Sequence, residues 1–362
     1  MSGITKPRFN KWFYVPALGG LFAFLVYLFS YLQTMDIASI FVKTDIFFFS
    51  LAVACIFFTV VFNALAWKYI LRGLGVNAGF NRVLNLSWIR VFLDSVVPGA
   101  WFGDAYKAYL LSREPQISGG KAVASIVVKK LFEDSITLVT LALGITLLGF
   151  SYNVAQGIFP LLGIFILLLA TPMVIMIFFS ARPQAVKKVL RALKRLQIFL
   201  TRKSSSSLYS FDSKLEKAIG NYTDGFRLIR SNPRMLIVPS ILLSLGGILT
   251  VLSAFLVFVS IGRVISADKV IITNSVVMSL QANGMLLSSV AQVVSSNVYS
   301  ALGISSLVSV SSSLLAGFAS FWFKTATSFC LFQGLILTKR LEFSSPPLNS
   351  KEETYFEPVD SH

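Results

Sequence analysis

The residues that could do chemistry in this chain are crowded into one stretch, Arg90 to Asp134. Arg90 and Asp94 stand four apart, and Gly103-Asp104 is followed by Lys107. Lys129, Lys130, Glu133 and Asp134 then form two base-then-acid pairs, again at a spacing of four. The flanking sequence is otherwise apolar enough to span a membrane. There a charge near the bilayer centre costs about 2.5–3.5 kcal/mol, whereas an apolar residue returns only about 0.3–0.6. Charge that persists in such a setting faces a partner, a cavity or a transported group.

Each position has a structural and a functional reading. Arg90 and Asp94 share a helix face. They form either an internal salt bridge that permits burial, or a phosphate site in which Arg90 supplies a planar donor fork and Asp94 steers it. Asp104 reads as the N-cap of a helix starting beside it. That helix start also offers free N–H groups to an anion, with Lys107 adding a point charge one turn on. Adjacent helical residues lie about 100° apart, so the pairs Lys129/Glu133 and Lys130/Asp134 cannot all face lipid. Either one pair points inward, or both sit near the interface with their lysines snorkelling. Trp101 and Phe102 read as packing or interface anchors. Lys324, alone in the last apolar run, is the charged candidate of the second half, as a ligand or as a snorkelling lysine.

The elements that must hold these residues are membrane helices. Of 362 residues 55% are hydrophobic and only 13% charged, with 33 Phe, too little charged surface for a soluble chain of this length. The net charge of +16 resides in the segments between apolar runs, which fits topology and anionic headgroups and not nucleic acid. Cys55 and Cys330 both lie in apolar runs and His362 is the sole histidine, so neither a disulfide framework, a metal set nor His-based catalysis is expected. No cofactor is expected either.

Six runs reach the roughly 20 residues of a crossing: Trp12–Leu32, Ile46–Leu71, Ala122–Phe150, Ile158–Ser180, Met235–Ile261 and Ser306–Thr338. No small-residue cleavage pattern follows the first, which reads as a retained helix. Basic residues concentrate in alternate loops and place both termini in the cytoplasm. The segments Phe80–Ser112 and Lys269–Gly303 are helical in pattern but broken, at Pro98-Gly99 and at Asn283-Gly284. As lipid-facing spans the first would expose Arg90, Asp94, Asp104 and Lys107, so both read as re-entrant hairpins packed within protein.

The expected fold is therefore an all-α integral membrane protein, six transmembrane helices plus two hairpins. A polytopic domain covers 1–341, with a first half at 12–150, a basic cytoplasmic segment at 181–234 and a second half at 235–338. That basic segment fits either a membrane-surface helix or a solvated linker, and the polar tail at 342–362 reads as disordered. Span, hairpin, span occurs twice, with local echoes: Gly73-Leu74-Gly75 against Ser260-Ile261-Gly262, and Gln116-Ile117-Ser118 against Gly303-Ile304-Ser305. Two such units of opposite orientation would be a transporter-like inverted repeat.

The run WIRVFLDSVVPGAWFGDAYKAYLLSR followed by KAVASIVVKKLFED resembles the lysylphosphatidylglycerol synthase transmembrane-region family, also called flippase-like. The matching features are Arg90, Pro98-Gly99, Gly103-Asp104 with Lys107, and Lys130 with Asp134, and the resemblance extends over Trp12 to Arg340. It implies movement of phospholipids or polyprenyl-linked lipids between leaflets. The soluble domain that makes the aminoacyl lipid in the synthases is not expected in this chain, so their activity is not carried over and no enzyme is expected. Two departures stand out. Lys129-Lys130 replaces an acid–base pair, and the second hairpin has no charge between Lys269 and Lys324. Gln292 falls near the family's acidic position there. Gln281, Asn283, Gln292 and Asn297 either act as neutral hydrogen-bonding groups or belong to a purely structural half.

The site residues expected to bind substrate are thus Arg90, Asp94, Asp104, Lys107, Lys130, Asp134, Gln292 and Lys324. The expected function is a flippase- or scramblase-like transporter of an anionic or polyprenyl-phosphate lipid in the cell membrane, with lipid headgroups as partners. No Gly-rich nucleotide-binding motif is present. The alternative is a non-transporting accessory protein of a lipid- or glycan-modifying enzyme.

Overall fold

The computed structural model describes residues 42–96, 102–112, 117–151, 158–182, 233–282 and 290–337, with a few isolated positions elsewhere. The predicted span Trp12–Leu32 apart from Val26, most of the basic segment, the tail, and the breaks Pro98-Gly99 and Asn283-Gly284 lie outside the described residues. Among the described residues the chain is all helical, without strands. The helices are α1 (Ile46–Gly73), α2 (Phe80–Val96), α3 (Phe102–Ser112), α4 (Gly119–Ser151), α5 (Ile158–Ala181), α6 (Ile237–Ser260), α7 (Ala267–Ala282), α8 (Ala291–Ala301), α9 (Ser306–Gly317) and α10 (Phe323–Leu337). A 3-10 turn at Pro233–Leu236 leads into α6, and a π-helical turn at Phe318–Trp322 joins α9 to α10.

Ile46–Gly73, Pro233–Ser260 and Ser306–Leu331 are long and apolar enough to cross a bilayer. Helix α5 covers the predicted span Ile158–Ser180, and within it Gly163–Phe178 is an apolar stretch. Its outer residues Ile164, Leu167 and Val174 are more than 60% exposed, an apolar surface suited to lipid rather than water. Helix α4 covers Ala122–Phe150 but carries Lys129, Lys130, Glu133 and Asp134 in its first half.

The sequence echoes turn out to be helix ends. Helix α1 starts at Asp45, whose carboxylate accepts from Phe47 N (2.8 Å) and Phe48 N (3.4 Å). It stops at Gly75, φ +73°, where Gly75 N donates to Arg72 O and Val76 N to Leu71 O. Helix α6 stops identically at Gly262, φ +70°, with Gly262 N to Val259 O and Arg263 N to Phe258 O. Both are Schellman closures, which require a left-handed residue and hence favour glycine. The second echo pairs Ser118 with Ser305, the residues preceding α4 and α9; their carbonyls accept the first helical N–H, from Ala122 and Ser309.

The order long helix, short helix, shorter helix, long helix therefore recurs. Asp45 N donates to Ser260 O (2.7 Å), Ser253 Oγ to Ala52 O (2.9 Å) and Thr59 Oγ1 to Gly246 O (3.3 Å). One index rises as the other falls, so α1 and α6, the first helices of each copy, are antiparallel. The remaining packing is reciprocal. Helix α2 lies against α10 and α7 against α4, so the first short helix of each copy packs on the closing helix of the other. The core follows this plan. Trp67, Ile70, Leu71, Leu74, Leu86, Ile89 and Leu111 fill the first copy, while Leu141, Leu169, Ile272 and Val276 join α4, α5 and α7.

At the α4–α7 seam the helices touch through Gly144. A Cβ there would lie 2.8 Å from Ile272 Cγ1 and 2.9 Å from Ile271 Cγ2, with the Ile272 backbone close behind. Gly144→Ala should therefore lower stability by about 1–3 kcal/mol. Chemical unfolding in detergent micelles checks this, and an unchanged midpoint would contradict the seam.

Candidate functional site

The site is built where α2, α3 and α4 converge. Helix α3 can press against α2 because its second residue is Gly103. A Cβ on Gly103 would collide with the Asp94 carboxylate and come within 2.9 Å of Arg90 O. This contact brings Asp104 to Arg90. Arg90 Nε lies 3.1 Å from Asp94 Oδ2 and 3.2 Å from Asp104 Oδ1, and its Nη1 lies 3.7 Å from Glu133 Oε1. A planar guanidinium with several donors suits such a three-carboxylate hub better than a point-charge ammonium would.

Asp104 is 3% exposed and also pairs with Lys107 at 3.3 Å. Lys107 is fully buried and stands 3.9 Å over the Trp67 ring, whose Nε1 donates to Ser125 Oγ. A desolvated ammonium over an indole face gains cation–π attraction that a hydrated one would lose. On α4, Lys129 pairs with Glu133, and Lys130 Nζ with Asp134 Oδ1 at 2.8 Å. The reading of Asp104 as an N-cap gives way here. It stands in the first turn of α3, which begins at Phe102, and its carboxylate is committed to Arg90 and Lys107.

All of these charged groups except Asp104 border a cavity of about 360 Å³, within the range of small-ligand sites. Arg90, Asp94, Lys107, Lys130, Asp134 and Lys324 all line it, as do Lys129 and Glu133. Lys324 comes from the far half. The π turn at Phe318–Trp322 ends just before it, and a π turn accommodates an extra residue that rotates the helix face that follows. Lys324 is half-buried on the same wall as Arg90 and Asp94, and among the described residues no carboxylate forms a salt bridge with it. Gln292 does not reach this wall. It is buried, 4% exposed, and packs onto Gly317 of α9.

Sequence reasoning missed the uncharged part of the wall: Thr59 and Asn63 on α1, Thr137 and Thr140 on α4, Asn274 and Ser275 on α7. A signal existed. Thr137 and Thr140 continue at helical spacing the face that bears Glu133 and Asp134, and Asn274, Met278 and Gln281 recur at helical spacing on α7.

Two outcomes follow. Gly103→Ala should lose about 1–3 kcal/mol by pushing Asp94 from Arg90. Glu133→Ala, which strips a carboxylate from both Lys129 and Arg90, should cost about 3–5 kcal/mol, while the double change Lys129→Met/Glu133→Leu costs less. Denaturant unfolding of each variant in detergent checks both; a double variant weaker than the single one would contradict the pairing.

Residues 14–328 match the family model described as the lysylphosphatidylglycerol synthase TM region. A UPF0104 membrane protein of Methanocaldococcus jannaschii is 25% identical over 272 residues, 73% of this chain and 76% of that protein. Another, from Pyrococcus horikoshii, is 24% identical over 291 residues, 78% of this chain and 85% of its own length. No solved structure matches the chain. With the family model spanning most of its length, this chain belongs to the lysylphosphatidylglycerol synthase transmembrane-region family of membrane proteins.

Proposed function

We propose that this protein moves a lipid bearing a phosphate headgroup between membrane leaflets, as a flippase or scramblase. The observation that carries this reading is the charge balance of the cavity. Among the described residues the cluster holds five cations, Arg90, Lys107, Lys129, Lys130 and Lys324, against four carboxylates, Asp94, Asp104, Glu133 and Asp134. One formal positive charge is left over, and among the described residues Lys324 is the member of the cluster with no ion pair. A purely structural network would be expected to balance, since an uncompensated buried charge is costly. A phosphodiester brings the one negative charge that closes it, and its oxygens suit the Arg90 fork and the Lys324 ammonium.

In this reading 80–112 and 267–301 are re-entrant hairpins, the two copies form an inverted repeat about the cavity, and both termini lie in the cytoplasm. Antiparallel α1 and α6 support the inversion. The headgroup would sit in the cavity while the acyl chains stay in the bilayer. Because α10 supplies Lys324 and α2 supplies Arg90, relative movement of the two halves would loosen or tighten the grip on phosphate, as alternating access about an inverted repeat requires. Asp94, near both cations, would hold Lys324 when no phosphate is present.

The test is a fluorescent anionic phospholipid in liposomes containing the purified protein, with quenching of outer-leaflet probe reporting exchange. Exchange should exceed that of protein-free vesicles. Lys324→Met and Arg90→Gln should each slow it about tenfold or more, the loss expected for one charged hydrogen bond. Wild-type exchange equal to that of empty vesicles for every anionic lipid would exclude transport and leave the accessory role as the better reading.

A further inference from the structure

The two copies of the repeat meet at α1 with α6, at α4 with α7 and at α2 with α10, and these seams are built differently. The first is fastened to backbone. Ser253 Oγ donates to Ala52 O, Thr59 Oγ1 to Gly246 O and Asp45 N to Ser260 O. Ala52 is fully buried, and a Cβ on Gly246 would stand 3.4 Å from Asn63 Nδ2. The second is closed by Gly144, where no side chain separates α4 from Ile271 and Ile272. Small residues that let backbones approach, with hydrogen bonds between helices, are what hold membrane helices together.

The α2–α10 seam has neither device. Thr325 Oγ1 donates to Ser95 Oγ at 3.1 Å, and both side chains are only half-buried. One turn along, the rings of Phe92 and Phe329 meet with centroids 5.9 Å apart and planes tilted by 45°. That tilt lies between the stacked and edge-to-face geometries that strengthen aromatic pairs. No charge fastens the seam either. Arg90 of α2 pairs with Asp94, Asp104 and Glu133, all of the first copy, and among the described residues no ion pair crosses from α2 to α10.

Its position is as telling as its weakness. On the inner side Arg90, Asp94 and Ser95 of α2 and Lys324 of α10 line the cavity. On the outer side Phe329 is 46% exposed, an apolar surface suited to lipid. Helix α10 is joined to α9 through the π turn at Phe318–Trp322, where Phe323 N donates to Phe318 O. Helices bend at such turns, so α10 carries a hinge at the end where it meets Ser95.

We infer that α2 and α10 form a lateral portal. They part about the π turn to let a headgroup pass between the bilayer and the cavity, while the α1–α6 seam stays closed as the fixed axis. The inference rests on the transport reading above and adds the route and the moving part. The Ser95–Thr325 bond is the latch, and Phe92 with Phe329 shields the charged cavity from hydrocarbon when the portal is shut.

The test locks each seam in turn, in a chain whose Cys55 and Cys330 are replaced by alanine. Ser95→Cys/Thr325→Cys bridges α2 to α10, and Ala52→Cys/Ser253→Cys bridges α1 to α6; intact mass verifies each disulfide. Oxidising the first pair in liposomes should slow exchange of fluorescent anionic phospholipid about tenfold or more, as for a gate held shut, and reductant should restore it. Oxidising the second pair should leave the rate unchanged. Unslowed exchange with α2 bridged to α10 would overturn the portal and leave the transport reading standing, as would equal losses from both bridges. Exchange no faster than in protein-free vesicles, for reduced variants and wild type alike, would remove the two readings together. A second measurement needs no bridge. Nitroxide labels at the exposed positions Asn81 of α2 and Gln333 of α10, in nanodiscs, should give two distances by double electron–electron resonance, whereas labels at Leu51 and Leu252 should give one. A single Asn81–Gln333 distance, with and without anionic lipid, would likewise overturn the portal.

Discussion

The structure depends on keeping Arg90 charged and out of lipid. A guanidinium does not give up its proton, so burial must be compensated by neighbours. Asp94 comes from its own helix, Asp104 from α3 and Glu133 from α4, so one side chain ties three helices together. Gly103 makes the approach of α3 possible, and Trp67 roofs Lys107 from α1. The broken helix pair is held by electrostatics at its tip and by apolar packing along its sides, where Leu86, Ile89 and Leu111 are buried.

The same arrangement creates the cavity. Ionic side chains cannot close-pack as Leu and Ile do, and a cluster whose formal charges do not cancel leaves room and attraction for an anion. The second copy answers with neutral groups. Where the first copy places charges, α7 places Asn274, Ser275 and Gln281, and the later helix contributes Lys324 after its π turn. Reciprocal packing of α2 on α10 and α7 on α4 sets these two chemistries across one space.

Much of this was legible in the residues. The spacing of Arg90 and Asp94, and of the Lys129/Glu133 and Lys130/Asp134 pairs, gave their pairing directly, because helical periodicity brings positions four apart together. The repeat could be read from Gly75 and Gly262, since a left-handed closure imposes glycine whatever the surrounding sequence does. Other features were not legible. Asp104 looked like a cap because a Gly-Asp pair before a helical run resembles one, and only the tertiary approach of Arg90 changes that role. Gln292 was aligned by spacing with a charged position, but the fold turns it onto Gly317 and away from the cavity. Asn63 carries no local signal of its own; a polar residue on a membrane helix becomes meaningful once the helix it faces is known.

The most direct measurement is a high-resolution cryo-electron microscopy structure of the full chain in nanodiscs of anionic phospholipid. Density for a lipid phosphate bridging Arg90 and Lys324 is the predicted result. A cavity without lipid density, in which Lys324 is fully satisfied by Asp94 and the two halves are packed shut around it, would contradict the central claim that the excess charge exists to bind phosphate.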